Sequence, residues 1–304
     1  MTTETTIALE LDDIQAGALR PRPSPYAGAY FLLRIDDREG GRELLRRIMP
    51  ALTSAANPAD PAKQAWLALS LSYQGLKALG VPEDALATFP PEFQEGMAAR
   101  AAELGDVGDS APEHWEAPLG SSDVHIALVA LPPDQSRFEA LVARAREALS
   151  DLPGVTLVWR QDVASLPNER EPFGFKDGIS QPAIEGTGIP GTNPHEAPIK
   201  AGEFVLGYQD ETGDTLPPPQ PEILGRNGTF MVVRKLHTRV AAFRQYMRER
   251  AANPEEEERL AAKFVGRWRS GAPLSLSPDR DDPELGADKE RNNAFMYGDD
   301  ERGL

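Results

Sequence analysis

Four strand-like apolar runs alternate with helical patterns between residues 27 and 159, and this alternation constrains the fold more than any other feature. A clear amphipathic helix follows the third run, where Asp134 can cap a helix with Phe138, Leu141 and Val142 on one face. Such alternation is typical of an α+β domain whose helices pack on a sheet. The four runs are residues 27–35, 66–71, 124–131 and 155–159.

Composition excludes several classes of protein. The 304 residues suggest two domains, and 48 acidic against 32 basic residues give a net charge of −16, which disfavours nucleic acid as a partner. No apolar run approaches the roughly 18 residues of a membrane span, so we expect no membrane association. The absence of cysteine excludes disulfides, thiolate nucleophiles and thiolate-bound metals. The N-terminal residues lack a basic and an apolar region, so the expected location is the cytoplasm.

The second half predicts a loop-rich connector followed by a further domain. Strands are predicted at Phe204–Tyr208 and Phe230–Val233, and a helix over Arg239–Arg250. Asn253 followed by Pro254 predicts the start of another helix. Beyond Trp268 no period is sustained, so this domain has too few elements to close a core of its own. The predicted division is 1–165, a connector over 166–200, and 201–304.

The histidines give no sign of a metal site. No two of them have the spacing that places two imidazoles on one helix face. His125 lies in an apolar run, where a histidine hydrogen-bonded inside the core is the expected state, and the other three lie in loops or at the end of an element. The four are His114, His125, His195 and His237.

Asp177 is the strongest candidate for a functional side chain. It precedes Gly178 in a stretch that also contains Phe173, Phe175 and Ile179. A carboxylate among apolar neighbours can act as an acid and a base near neutral pH. Asp-Gly is also a favoured turn pair, and from the residues alone the turn is the favoured interpretation.

Several separated blocks resemble the dye-decolorizing peroxidases, which are haem enzymes of two ferredoxin-like α+β domains. Residues 174–178 match the family's G-x-x-D-G signature, and Gln181-Pro182 is similar to the Asn-Pro that is usual in the family. The resemblance implies an α+β fold of two ferredoxin-like domains, of the dimeric α/β-barrel type, with the second domain incomplete. The other matching blocks are residues 201–208, 225–230 with 234–236, 265–273, and 282–288 with 291–293.

The resemblance also implies an activity and a cofactor. Asp177 corresponds to the distal acid–base group, which takes a proton from hydrogen peroxide and returns it to the outer oxygen so that water leaves. Phe175, Gly178, Ile179 and Ser180 correspond to the cofactor-binding surroundings. The implied cofactor is haem b, iron protoporphyrin IX, and the implied partners are hydrogen peroxide and an organic reductant of phenolic or dye-like type.

One departure from the family concerns the iron ligand. Family members place the proximal histidine in a block that follows the region matching residues 299–304, and none of the four histidines matches that block, so no metal ligand is assigned. A fragment, a protein whose remainder lies on another chain, and a degenerate form are the alternatives, and the incomplete second domain favours the first two. A complementing C-terminal chain or a homo-oligomer is therefore a candidate partner. The alternative functions are a haem-free binding or scaffold protein, and a protein that binds or transfers haem without peroxidase activity.

Overall fold

A four-stranded antiparallel sheet organises the N-terminal part of the chain. The computed structural model describes residues 8–56, 65–150 and 152–295. The strands are β1 Ala27–Ile35, β2 Trp66–Leu71, β3 Ile126–Leu131 and β4 Val155–Ala164. Their order is β2-β3-β1-β4, and every neighbouring pair is antiparallel. The predicted bounds of β1 and β2 are confirmed, whereas β3 begins two residues later and β4 extends further than predicted.

The helices differ widely in length, from 4 residues in the first to 16 in the seventh. Among the described residues they are α1 Ala16–Leu19, α2 Arg38–Ile48, α3 Tyr73–Ala78, α4 Glu83–Leu86, α5 Pro91–Ala99, α6 Ala101–Leu104, α7 Gln135–Ser150, α8 Val240–Arg250, α9 Pro254–Val265 and α10 Pro283–Ala287. Helix α2 connects β1 to β2, and α7 connects β3 to β4. This strand–helix–strand, strand–helix–strand order with the observed sheet order is the ferredoxin-like arrangement, so the predicted α+β class is confirmed.

The main core lies between the sheet and its helices. Leu33 of β1, Leu44 of α2 and Ile126 of β3 are fully buried and belong to one apolar cluster. Helix α3 packs closely on the start of β3, because a Cβ at Gly75 would lie 2.1 Å from the carbonyl oxygen of His125. Burial of apolar side chains at about 25 cal/mol per Å² is the main source of stability for such a core.

The chain divides into two compact units. Unit 1 comprises residues 1–164 and 200–231, and unit 2 comprises residues 165–199 and 232–304. The sequence predicts one domain over residues 201–304, and this division of the chain into domains stays a prediction.

Unit 2 is built from helices and loops in the part that the structure describes. Helix α9 begins as predicted: the Asn253 side chain accepts a hydrogen bond from the Glu256 N–H at 2.9 Å, and Pro254 is the first helical residue. The helix ends at Gly266, which has a φ of 83°. Ala262, near the end of α9, and Trp268, which follows the helix, belong to a small buried cluster.

Both strands predicted after residue 200 are wrong. Residues 201–203 form a 3-10 helix, and the N–H of Val205 bonds to the carbonyl of Ala201 at 3.0 Å, which closes a turn and not a ladder. Residues 230–233 have no ladder partner within the described ranges, and Val232 is 72% exposed. An apolar run becomes a strand only when another strand pairs with it.

A polar network joins the N-terminal segment of unit 1 to residues 208–227. The Tyr208 hydroxyl donates to the Asn227 side-chain oxygen at 2.7 Å, and the Asn227 amide donates to Glu10 and Asp13 at 2.6 and 2.7 Å. Hydrogen bonds from Arg226 and Asn227 hold the pKa of Glu10 below its usual value. No helix among the described residues is long and apolar enough to cross a membrane.

Candidate functional site

The G-x-x-D-G segment begins with a tight turn that Glu171 closes. The Glu171 carboxylate accepts hydrogen bonds from the backbone N–H groups of Phe173 and Phe175, both at 2.8 Å. The Gly174 N–H donates to the Glu171 carbonyl at 2.9 Å, and Gly174 has a φ of 98°. Glycine is favoured there because other residues rarely adopt that backbone conformation.

Arg269 holds this turn from the other side. Its guanidinium donates to the Phe173 carbonyl at 2.7 Å and to the Glu258 carboxylate at 2.5 Å. It also lies 4.8 Å from the centre of the Phe175 ring, within the range of a cation–π contact. A Cβ at Gly174 would lie 2.8 Å from Arg269 Nη1, so a side chain there would displace the guanidinium.

A second arginine, Arg170, connects the backbone of this turn to the backbone of Arg269. Arg170 Nη1 donates to the carbonyls of Gly174 and Arg269 at 2.5 and 2.8 Å. The Lys176 N–H donates to the Arg269 carbonyl at 3.2 Å. Two guanidinium groups and one backbone bond therefore fix the chain directly before Asp177. Charge-assisted hydrogen bonds of this kind are stronger than neutral ones.

Asp177 itself is exposed. Its N–H donates to the Glu169 carbonyl at 2.8 Å, and its Oδ1 accepts from the Gly178 N–H at 2.8 Å. The Gly178 φ of 70° completes the turn expected of an Asp-Gly pair. The turn and a role in proton transfer are compatible, since the turn presents the carboxylate at the surface. The catalytic role stays a prediction.

The predicted cofactor-binding residues lie in different surroundings. Phe175 is 2% exposed and belongs to a buried apolar cluster of unit 2 with Met247 and Ala261. Gly178 and Ser180 are exposed, and no atom lies within 4 Å of a Cβ built on Gly178. Ile179 is half-buried, with its Cδ1 2.7 Å from a Cβ built on Gly271. Their role in cofactor binding stays a prediction.

The histidines offer no evident iron ligand. Nδ1 of His125 accepts from the Ile35 N–H at 3.0 Å, and Nε2 lies 3.0 Å from the Ser122 carbonyl, so both ring nitrogens are engaged. The expectation of a hydrogen-bonded His125 is confirmed. The other three histidines are exposed. Within the described ranges no three metal-binding side chains cluster.

That these residues form one side of a haem site stays a prediction. An exposed carboxylate beside the open space at Gly178 allows a flat group to approach the loop. No side chain in the described part of the chain is assigned as the protein ligand that would hold the haem iron. The region matching residues 299–304, after which the resemblance expects the proximal block, lies outside them.

Comparisons with known proteins agree with the sequence blocks. No family model matches the chain. A dye-decolorizing peroxidase of Mycena epipterygia is 32% identical over 304 residues, which cover 95% of this chain and 55% of that protein. One of Exidia glandulosa is 30% identical, over 95% of this chain and 57% of that protein.

Solved structures give the same result. A dye-decolorizing peroxidase in complex with 2,6-dimethoxyphenol has a TM-score of 0.80 and 30% identity, over 96% of this chain and 66% of that one. An ancestral D-type dye-decolorizing peroxidase has a TM-score of 0.79 and 29% identity, over 95% and 64%. The fold thus defines an α+β class with a ferredoxin-like sheet in unit 1, which is consistent with the two ferredoxin-like domains of these solved structures. The chain belongs to the dye-decolorizing peroxidase family, and it spans about half the length of the curated relatives it matches.

Sequence reasoning missed the groups that hold the Asp177 loop. Glu171, Arg170 and Arg269 have no spacing that marks them as a unit, and Arg269 lies 96 residues from its partner Phe173. The block 265–273 resembles the family, but the resemblance assigns no role to its arginines. The only signal is that Arg269 falls within this shared block.

Proposed function

We propose that this chain is the larger part of a haem-dependent peroxidase that reduces hydrogen peroxide and oxidises bulky phenolic or dye-like donors, with Asp177 as the distal acid–base. The observation that carries the proposal is the match over 95% of the chain to dye-decolorizing peroxidases, with the G-x-x-D-G aspartate on an exposed, well-anchored loop. Haem b, when bound, supplies the oxidising chemistry.

The chain's own contribution is to hold and move a proton. The Gly178 N–H bond to Oδ1 fixes the plane of the Asp177 carboxylate. A carboxylate in a fixed plane can take a proton from one oxygen of peroxide and return it to the other, within hydrogen-bond reach of both. Gly178 and Ser180, which follow Asp177 closely in the chain, are exposed, and Ile179 between them is half-buried.

The proposal includes a partner. A complementing C-terminal chain would supply the protein ligand of the haem iron, with a homo-oligomer as the other source. One observation supports this: both ring nitrogens of His125 are engaged in hydrogen bonds within unit 1. A covering polypeptide would also remove the Asp177 carboxylate from bulk water, which strengthens its electrostatic interactions. A cytoplasmic location stays a prediction that cell fractionation tests.

The test is reconstitution with haem. Haem is added to the 304-residue chain with and without imidazole, which stands in for a histidine side chain, and the Soret band and peroxide turnover are measured. We expect a protein-dependent Soret change that imidazole enhances, with turnover of a phenolic donor above that of haem and imidazole alone. No Soret change would favour the haem-free scaffold, and a Soret change without turnover would favour haem binding or transfer.

A further inference from the structure

The downstream end of the Asp177 loop, at Ser180, is held by Glu196 and Asn293, two polar side chains that the proposed function does not use. The Ser180 hydroxyl donates to the Glu196 carboxylate at 3.4 Å, and the Asn293 amide lies 3.4 Å from the same hydroxyl. The Asn293 amide also donates to the other oxygen of Glu196. One carboxylate therefore receives hydrogen bonds from both Ser180 and Asn293.

Arg267 fixes this set to the backbone. Its guanidinium donates to the Asn293 side-chain oxygen, so both polar atoms of that amide are engaged. It also donates to the carbonyls of Asn292 and Gly271 at 2.6 and 3.0 Å. The guanidinium is therefore connected to the Asp177 loop through Asn293, whose amide lies 3.4 Å from the Ser180 hydroxyl.

A buried pair of asparagines holds Glu196 and Asn293 near each other. Asn193 and Asn292 are 5% and 3% exposed, and the Asn193 amide donates to the Asn292 side-chain oxygen at 3.0 Å. The same amide donates to the Lys289 carbonyl at 3.0 Å. Each asparagine lies within three residues of a member of the set, so the contact between the two loops does not depend on exposed side chains alone.

We propose that Glu196 and Asn293 are positioning residues that set the geometry of the Asp177 carboxylate by holding Ser180. The upstream end of the loop is fixed by the Asp177 N–H bond to Glu169, at 2.8 Å. Hydrogen bonds therefore restrain the exposed Asp-Gly turn at both of its ends. This inference rests on the proposed function, because positioning matters only where Asp177 moves a proton.

The first test needs no cofactor. Amide hydrogen exchange is measured by NMR on the whole chain at the Asp177 N–H and at the Thr192 N–H, which donates to the Gln181 carbonyl at 2.8 Å. Loss of one hydrogen bond corresponds to a roughly fivefold to tenfold change in local opening. We expect Asn293→Ala and Ser180→Val to speed exchange at both amides by about that factor.

Two control variants separate positioning from general destabilisation. Ser180→Thr keeps the hydroxyl in the shape of valine, so its exchange rates stay near those of the wild type. Asn253→Ala removes a helix cap elsewhere in unit 2. In this variant we expect exchange at the two amides to change no more than the global stability of the protein does. Unchanged exchange in both Asn293→Ala and Ser180→Val would overturn the inference.

The second test uses the haem-loaded protein. A displaced acid–base group lowers kcat/KM for peroxide, and a 1 Å misplacement can cost about 100-fold. We expect a loss of about tenfold or more in Asn293→Ala and Ser180→Val, recovery in Ser180→Thr, and no change in KM for the phenolic donor. Faster exchange with unchanged kcat/KM for peroxide would show a structural role alone and overturn the positioning role. If the variants exchange faster but the haem-loaded wild-type protein shows no peroxide turnover, the proposed function is contradicted. The role of Glu196 and Asn293 in holding Ser180 would still stand.

Discussion

The two units of this chain are stabilised by different kinds of contact. In unit 1, backbone ladders between four strands and a fully buried apolar cluster fix the structure. In unit 2, side chains that donate hydrogen bonds to backbone carbonyls hold most of the described residues around Asp177. The chief donors are the guanidinium groups of Arg170, Arg267 and Arg269. Ladder and core stability is spread over many contacts, whereas a loop held by a few guanidinium groups depends on each of them.

The largest expected effect comes from the core of unit 1. Leu44→Ala should lower the free energy of unfolding by about 2 to 5 kcal/mol, because the side chain is fully buried and its removal leaves a cavity. Denaturant unfolding followed by circular dichroism measures it. Ile223→Ala is the control, since Ile223 is 90% exposed, and a comparable loss in that variant would show that burial does not set the stability of this unit.

A single arginine should matter almost as much in unit 2. Arg269→Lys removes the forked donor that reaches Phe173 and Glu258, and we expect a loss of about 1 to 3 kcal/mol, as for hydrogen bonds to charged groups. Arg248→Lys, on the exposed side of α8, should change stability by less than about 0.5 kcal/mol. Equal effects in the two variants would break the contrast between the units.

The sequence alone predicts features whose signals are local, and it misses features that depend on residues far apart in the chain. The bounds of β1 and β2 and the cap at Asn253 were predictable because their signals lie within a few neighbouring residues. The strand predicted at 230–233 failed because a strand needs a partner that the local pattern does not reveal. The Asp177 loop was found through a motif, but the groups that hold it lie far away in sequence, as Asn293 does at 113 residues from Ser180.

The cap of α9 allows a smaller and more local test. Asn253→Ala should cost about 1 kcal/mol, because the Glu256 N–H loses its side-chain acceptor. Asn253→Ser keeps an acceptor at this position and should restore most of the loss. Thermal unfolding of the three proteins checks this, and an alanine variant as stable as wild type would mean that the cap contributes nothing to unit 2.

The smallest effect concerns pH and unit 1. The pKa of Glu10 is lowered by its hydrogen bonds to Arg226 and Asn227, so the folded form binds a proton there less readily than the unfolded form. Its contribution is therefore present above the ordinary glutamate pKa and is lost as the pH falls through the lower folded value. Glu10→Gln should flatten the acid side of a stability-against-pH curve relative to wild type. A variant curve that parallels the wild-type curve would contradict this assignment.

The most direct test of the central claim is kcat/KM for hydrogen peroxide in the haem-loaded protein with Asp177→Asn. General acid–base groups contribute about 100-fold to 10,000-fold, so we expect a loss in that range with the Soret band retained. Asp109→Asn, at another exposed aspartate, should leave the rate unchanged. Equal peroxide kinetics in wild type and Asp177→Asn would contradict the assignment of Asp177 as the proton-transfer group.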